Sequence, residues 1–298
     1  MTLDSDLEFP ELATSSASAC EVLIRKGRVD FTPSSAAPAR VLYKPLPAND
    51  VIVYYAGVGS ALVRNGSAIV YQPAKGNDPQ SLRLFILQQV LGVALLQRRK
   101  LVLHASAATF NGRAVAFCGP SGQGKSTLVA ALTTAGFSIL TDDVLAVDMS
   151  DKNAMALPGL MQLKLTEEAR NSFAQSAAKR SIGNRSSKSL CEVIGPRPAE
   201  ASSLSEIYIL ETGTSLILTP IPQARATIEL VRHTYGSRLL QATGLSSDYF
   251  ERTVSLARQI AVTALSRPRD LSLLPEIVAQ IKRRLLSPVP TAFESGVR

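Results

Sequence analysis

The sequence predicts an α/β fold preceded by a small, mostly β N-terminal module, and three observations predict it. Residues 20 to 75 carry short β-rich runs, "CEVLIRKGRVDF", "VIVYYAGV" and "SALVRNGSAIVYQP". A long apolar stretch, "LRLFILQQVLGVALL", follows at 82 to 96. From Leu101 onward a strand, a glycine-rich turn, a helix and another strand succeed one another, the alternation that builds an α/β layer. The chain divides on this reading into 1–97, the module with its linking helix, and 98–298, the α/β domain. With 298 residues and 46% apolar content it can bury one large core or two smaller ones.

Within the module, Asn65-Gly66 has the chemistry of a tight hairpin turn. Asp78 then Pro79 supply an N-cap and a first-turn proline, and "QRRK" places cations at the far end of the helix they open. Arg83, Gln88 and Gln89 interrupt the apolar stretch, which is too short for a bilayer and reads as a buried helix; no membrane partner is expected. "LVLHASAATF" and "RAVAFCG" read as strands, "KSTLVAALTTA" as a helix stopped by Gly136, and "FSILTDDVLAVD" as one further strand. Residues 171 to 205, rich in Ser, Ala, Lys and Arg without periodicity, predict a long mobile loop. Strands follow in "SEIYILE" and "TSLILTPI", and helices near 224–235, 247–265 and 275–286. The first of these is expected to bury Ile228, Val231 and Tyr235, and the second Phe250, Val254, Ala257, Ala261 and Ala264.

The 32 Lys and Arg against 24 Asp and Glu leave a net charge of +8, which suits an anionic partner. Nucleic acid is disfavoured: there is no Trp, the aromatics are few, the basic clusters are short and no reading motif is present. Cys20, Cys118 and Cys191 are widely spaced without C-x-x-C pairing and fit a reducing cytoplasm. The acidic start "MTLDSDLEFPELATSS" does not read as a secretory signal.

The chemistry concentrates in "GPSGQGKST", where Gly119, Pro120, Ser121, Gly122, Gln123, Gly124, Lys125, Ser126 and Thr127 meet the pattern G-x-x-x-x-G-K-[ST]. Glycines let successive backbone N–H groups face an anion, the helix start adds positive potential, the lysine reaches the outer phosphates and Ser126 ligates Mg2+. Asp142 and Asp143 follow Lys125 by seventeen and eighteen residues at the end of an apolar strand. Two carboxylates there divide the work, one on the Mg2+ shell and the other accepting a proton from an attacking hydroxyl. His104, one of two histidines in the chain, ends the run "LVL".

"HASA" at 104 to 107, the phosphate loop and "TDD" at 141 to 143 together resemble the HPr serine kinase/phosphorylase family, with matching spacings over residues 100 to 150. The resemblance implies a P-loop kinase domain related to phosphoenolpyruvate carboxykinase, using ATP and Mg2+. It makes Lys125 and Ser126 serve phosphate and metal, Asp142 the general base, Asp143 its metal-side partner and His104 a supporting polar group. The family's glutamate-bearing signature is missing: "MALPGL" puts Ala156 or Leu157 where an acid is expected. Glu167 and Glu168 are the nearby substitutes, and the reverse, phosphorolytic activity is in doubt.

The β module, the "PGL" step, "LVRHTYGSRLL" and "SRPRDLSLLPEIV" resemble a divergent subgroup of that family associated with lasso-peptide biosynthesis. Members phosphorylate a precursor peptide, typically on its C-terminal serine. That resemblance makes Arg232 and His233 candidates for substrate or phosphate contact, although both also fit the solvent face of an amphipathic helix. Lys179, Arg180, Arg185, Lys188 and Arg197 are candidates to close over a peptide. The implied function is an ATP-dependent serine kinase acting on a peptide or small protein with an acceptor serine, in the cytoplasm; a homo-oligomer is compatible with it. The alternatives are an HPr-type regulatory kinase and a nucleotide-binding sensor without transfer activity.

Overall fold

The computed structural model describes residues 1–12, 20–31, 41–150, 153–173, 188–192, 198, 200–237, 239–240 and 246–287. It has a mixed α/β fold. The first six strands, β1 (Leu3–Ser5), β2 (Val22–Lys26), β3 (Leu42–Pro45), β4 (Val51–Tyr55), β5 (Gly59–Arg64) and β6 (Ala68–Pro73), form one sheet in the order β1-β2-β6-β5-β4-β3. Asn65 and Gly66, with φ of 48° and 64°, make the tight turn between β5 and β6, as the sequence indicated.

Helix α1 spans Pro79–Gln97. Asp78 caps it, its carboxylate accepting from the N–H groups of Gln80 and Ser81. Length and composition would let this 19-residue helix cross a membrane, but Leu82, Phe85, Ile86, Val90, Val93, Ala94 and Leu96 are buried against the rest of the chain. A single π turn over Ile86–Val90 interrupts it.

The second sheet has nine strands: β7 (Leu101–Leu103), β8 (Ala105–Phe110), β9 (Arg113–Cys118), β10 (Ser138–Thr141), β11 (Leu145–Asp148), β12 (Met155–Ala156), β15 (Ser202–Thr212), β16 (Ile217–Pro220) and β17 (Ala261–Arg267). Outside it, β13 (Gln162–Thr166) and β14 (Lys188–Glu192) form a separate antiparallel pair. Helices α2 (Lys125–Thr133), α3 (Glu167–Ser172), α4 (Gln223–Arg232), α5 (Ser246–Gln259) and α6 (Leu274–Leu286) complete the described elements. In the large sheet β9, β15 and β17 run parallel, and β8, β10 and β16 pair antiparallel.

Strict alternation along the central strands sorts two apolar layers. Ala114, Ala116, Cys118, Ile207, Ile209, Val262 and Ala264 join a cluster that includes α1 and the six-stranded sheet. Val115, Phe117, Tyr208, Leu210 and Leu265 join another with Leu128 and Leu132 of α2 and Ile277 and Ile281 of α6. The first layer crosses the 97/98 division, so both sheets share one core.

Four expectations need correcting. "FSILTDDVLAVD" forms two strands, β10 and β11, which lie at different places in the sheet and break at Asp142-Asp143. The loop expected over 171–205 contains β14 and the start of β15; Lys179, Arg180, Arg185 and Arg197 lie outside the described residues. The helix expected over 247–265 stops at Gln259, and Ala261 and Ala264 belong to β17; its buried face is Tyr249, Thr253, Leu256 and Ala257, and Phe250 is exposed. In α4, Ile228 and Val231 face outward while Ala226 and Leu230 are buried. Hydrophobic identity alone does not choose a face when a helix offers apolar residues on two sides.

The break at Asp142 depends on a close approach by Gly159. Its N–H donates to the Leu140 carbonyl at 2.9 Å, and a Cβ there would stand 2.3 Å from the Thr141 hydroxyl. Gly159→Ala is therefore expected to lower the unfolding free energy by about 1–3 kcal/mol, read from the urea midpoint.

Candidate functional site

Parallel strands end near one another at their carboxyl edges, the place where open α/β sheets bind ligands. The phosphate loop leaves β9 there, and Gly124, at φ 83°, turns it into α2. Lys125, 7% exposed, folds back so that its ammonium donates to the carbonyls of Gly119 at 2.7 Å and Pro120 at 3.4 Å. Ser126 stands one residue further into the helix. Its hydroxyl lies 2.9 Å from both Asp142 carboxylate oxygens.

Asp142, 3% exposed, is the most enclosed acid of the site. Besides Ser126 it accepts from the Ser106 hydroxyl and from the Lys164 backbone N–H at 3.2 Å. Burial and the charge of Asp143 push its carboxyl above the usual range, against the pull of those donors. Asp143, with φ of 68°, turns the other way. Burial alone would raise it too, but the Lys164 ammonium on its carboxylate, helped by His104 and Lys125, holds it below the usual range. Two adjacent carboxylates thus differ in proton affinity because only one carries an ion pair, the pattern that separates acid–base roles.

His104 follows β7, and its Nδ1 lies 3.0 Å from the Asp143 carbonyl. A carbonyl only accepts, so Nδ1 carries the proton and Nε2 presents a lone pair. Burial and the Lys125 cation push the ring below its ordinary value, which keeps it neutral at pH 7. The His104 N–H donates to the His233 carbonyl at 2.8 Å.

Beside the loop lies a cleft of about 790 Å³ lined by Gly119, Pro120, His104, Arg225, Glu229, Arg232, His233 and Tyr235, among others. Arg232 and His233 therefore face this cleft at the C-terminal end of α4. Burial, with the Lys125 and Arg232 cations, lowers the His233 ring against the pull of Glu229. Arg232 pairs with Glu229 and Arg225 with Glu211, both at 2.9 Å.

The place of the missing acid is apolar: Ala156 is fully buried on β12 between Val147 and Ser202. Glu167 and Glu168 are exposed in the first turn of α3, and no described hydrogen bond joins them to the Asp pair. The donor set that remains, the Ser126 hydroxyl and two carboxylates, is all oxygen. It fits a hard divalent cation shared with phosphates, and among the described residues no cluster of three acid, His or Cys side chains forms a cage.

Sequence reasoning missed Lys164. It sits four residues beyond the "MALPGL" stretch, and only the placement of β13 beside the Asp turn gives it both a backbone and an ammonium contact to the pair. It also missed the role of Gln88 and Gln89. The Lys164 ammonium donates to Gln88 Oε1 at 3.1 Å, and the Tyr43 and Tyr235 hydroxyls each lie 2.9 Å from Gln89 Oε1. The two glutamines that interrupt the apolar helix were the visible signal.

No family model matches this chain, and no curated protein does. Among solved structures, the HPr(Ser) kinase/phosphatase from Coxiella burnetii matches over 61% of this chain and 95% of that chain, at 12% identity and a TM-score of 0.33. So low a score supports no functional inference, and the residues above stand on their own.

The raised carboxyl of Asp142 has a consequence for stability. An acid whose folded pKa exceeds its unfolded value costs stability above that unfolded value, and the cost grows until pH passes the folded pKa. Asp142→Asn is therefore expected to raise the melting temperature at pH 7 by a few degrees. The gain should shrink as pH is lowered toward 3.8, the ordinary value of the group, in melts recorded across pH.

Proposed function

We propose that this protein is an ATP-dependent serine kinase whose acceptor is a peptide. The observation that carries the reading is Asp142: a buried carboxylate of raised proton affinity, hydrogen-bonded to Ser126 in the first turn of the helix that the glycine-rich loop opens. A raised proton affinity moves a carboxylate in the direction that general-base work favours. Backbone N–H groups of 121 to 124 and the Lys125 ammonium would hold the phosphates, and Ser126 with Asp143 would hold Mg2+. When bound, Mg2+ neutralises phosphate charge.

In the proposed step the acceptor serine oxygen forms a bond to the γ-phosphorus as the bond from that phosphorus to the ADP oxygen breaks, and the hydroxyl proton passes to Asp142. His104, neutral and with Nε2 as acceptor, would orient the hydroxyl. Arg225, Arg232 and His233 would meet the peptide along the cleft. The motifs quoted above favour a lasso precursor carrying a C-terminal serine over HPr as the acceptor.

Mass spectrometry of such a precursor, and separately of HPr, after incubation with Mg-ATP tests this. A gain of about 80 Da on a serine with wild type, at least a hundredfold slower with Asp142→Asn, is expected. Modification of HPr alone would move the acceptor assignment to HPr. Nucleotide binding without modification of either would replace the kinase with a sensor.

A further inference from the structure

Strands β9, β15 and β17 run parallel, with Cys118 opposite Ile209 and Thr212 opposite Arg267, so all three open onto the phosphate loop. Arg267 is the last residue of β17. Only 7% of the residue is exposed, and its guanidinium reaches the loop at Gln123 and Gly124. Nη2 donates to the Gln123 carbonyl at 3.2 Å and Nη1 to the Pro268 carbonyl at 3.4 Å; Nε is buried without a partner. A Cβ on Gly124 would lie 2.6 Å from Nη2. The guanidinium thus fills space that only glycine leaves in the loop.

No described carboxylate acts on this cation. Its surroundings are burial and a second positive charge, Arg269, both of which disfavour the charged form. A guanidinium has five N–H donors in a planar fork, and here two of them make long bonds to carbonyls. A buried charge in that condition is costly unless an anion completes it, and the fork suits phosphate oxygens. Gln123 and Gly124 belong to the part of such loops that cradles the α- and β-phosphates, while the lysine reaches outward to β and γ.

We propose that Arg267 is a phosphate-binding residue of this site, contacting the inner phosphates of the nucleotide beside Gln123 and Gly124. The proposal rests on the nucleotide-binding part of the reading above. A phosphate contact would account for the unpaired Nε. A purely structural strut would account for the Gln123 contact but not for that Nε.

Arg267→Met separates the two roles, because they give opposite signs. For wild type and variant, melting is recorded without ligand, and binding of Mg-ADP, Mg-ATP and pyrophosphate is measured by calorimetry. The expected result is an unliganded melting temperature no lower than wild type, with affinity for Mg-ADP and Mg-ATP reduced by the same factor, at least about tenfold. Unchanged affinity overturns the proposal, and so does a loss confined to Mg-ATP, which would mark a γ-phosphate contact. A folded variant that melts well below wild type overturns it in favour of the strut. If Arg267→Met does not fold, Arg267→Lys, which keeps the charge and loses the fork, gives the same reading: a drop of at least about threefold supports it and none overturns it. Wild type binding pyrophosphate but no nucleotide, with Arg267→Met losing the pyrophosphate, would remove the kinase reading and leave Arg267 as an anion site. Wild type binding none of the three would remove both.

Discussion

A carboxylate that is nearly out of reach of water sets the terms for the centre of this molecule. Asp142 is anchored by two hydroxyls and a backbone N–H from three different segments: Ser106 on β8, Ser126 at the start of α2 and Lys164 on β13. Each donor exists at its position because the chain was brought there by something else, a strand pairing, a loop-to-helix turn or a two-stranded ribbon. Satisfying one buried charge therefore requires the surrounding elements to be in register simultaneously. That requirement explains why β10 and β11 separate at this point. A continuous strand would carry Asp142 past its donors, whereas the break, stabilised by Asp143 in the left-handed region and by the Asp142 N–H on the Leu160 carbonyl at 3.0 Å, turns it toward them.

Asp143 illustrates how one residue of displacement alters chemistry. Its neighbour is desolvated and lies beside a second negative charge, which favours holding a proton although its hydrogen-bond donors pull the other way. Asp143 itself meets an ammonium, which favours giving one up. The difference arises from a backbone turn rather than from residue type, and that is why adjacent aspartates in sequence say little about which does what.

Much of the fold was legible because its determinants are local. Alternation in "RAVAFCG" and "SEIYILE" placed strands that the sheet then uses on both faces, and Asp78-Pro79 marked a helix start with its own hydrogen-bonding chemistry. The glycine-rich turn between a strand and a helix was legible as well, since its glycines and lysine are contiguous. What escaped the sequence depends on distant pairing. Ile228 and Val231 have core character, yet the face that meets α5 is the one with Ala226 and Leu230. Lys164 comes to the Asp pair only through the placement of β13, and the end of β17 meets the loop only because β15 aligns both strands. Nothing within a few residues of either position announces this.

The polar contacts around the π turn carry one more implication. Tyr43, from the six-stranded sheet, shares Gln89 with Tyr235 of the cleft wall, and Gln88 on the same turn holds the lysine that faces Asp143. The N-terminal sheet is thus joined to the Asp142-Asp143 end of the second sheet by side chains, as well as sharing its hydrophobic layer. A chain cut between the two sheets would leave the second half with an orphaned glutamine-binding lysine and an unsupported tyrosine. The halves look separable in sequence, but the second keeps these contacts only while the helix between them stays in place.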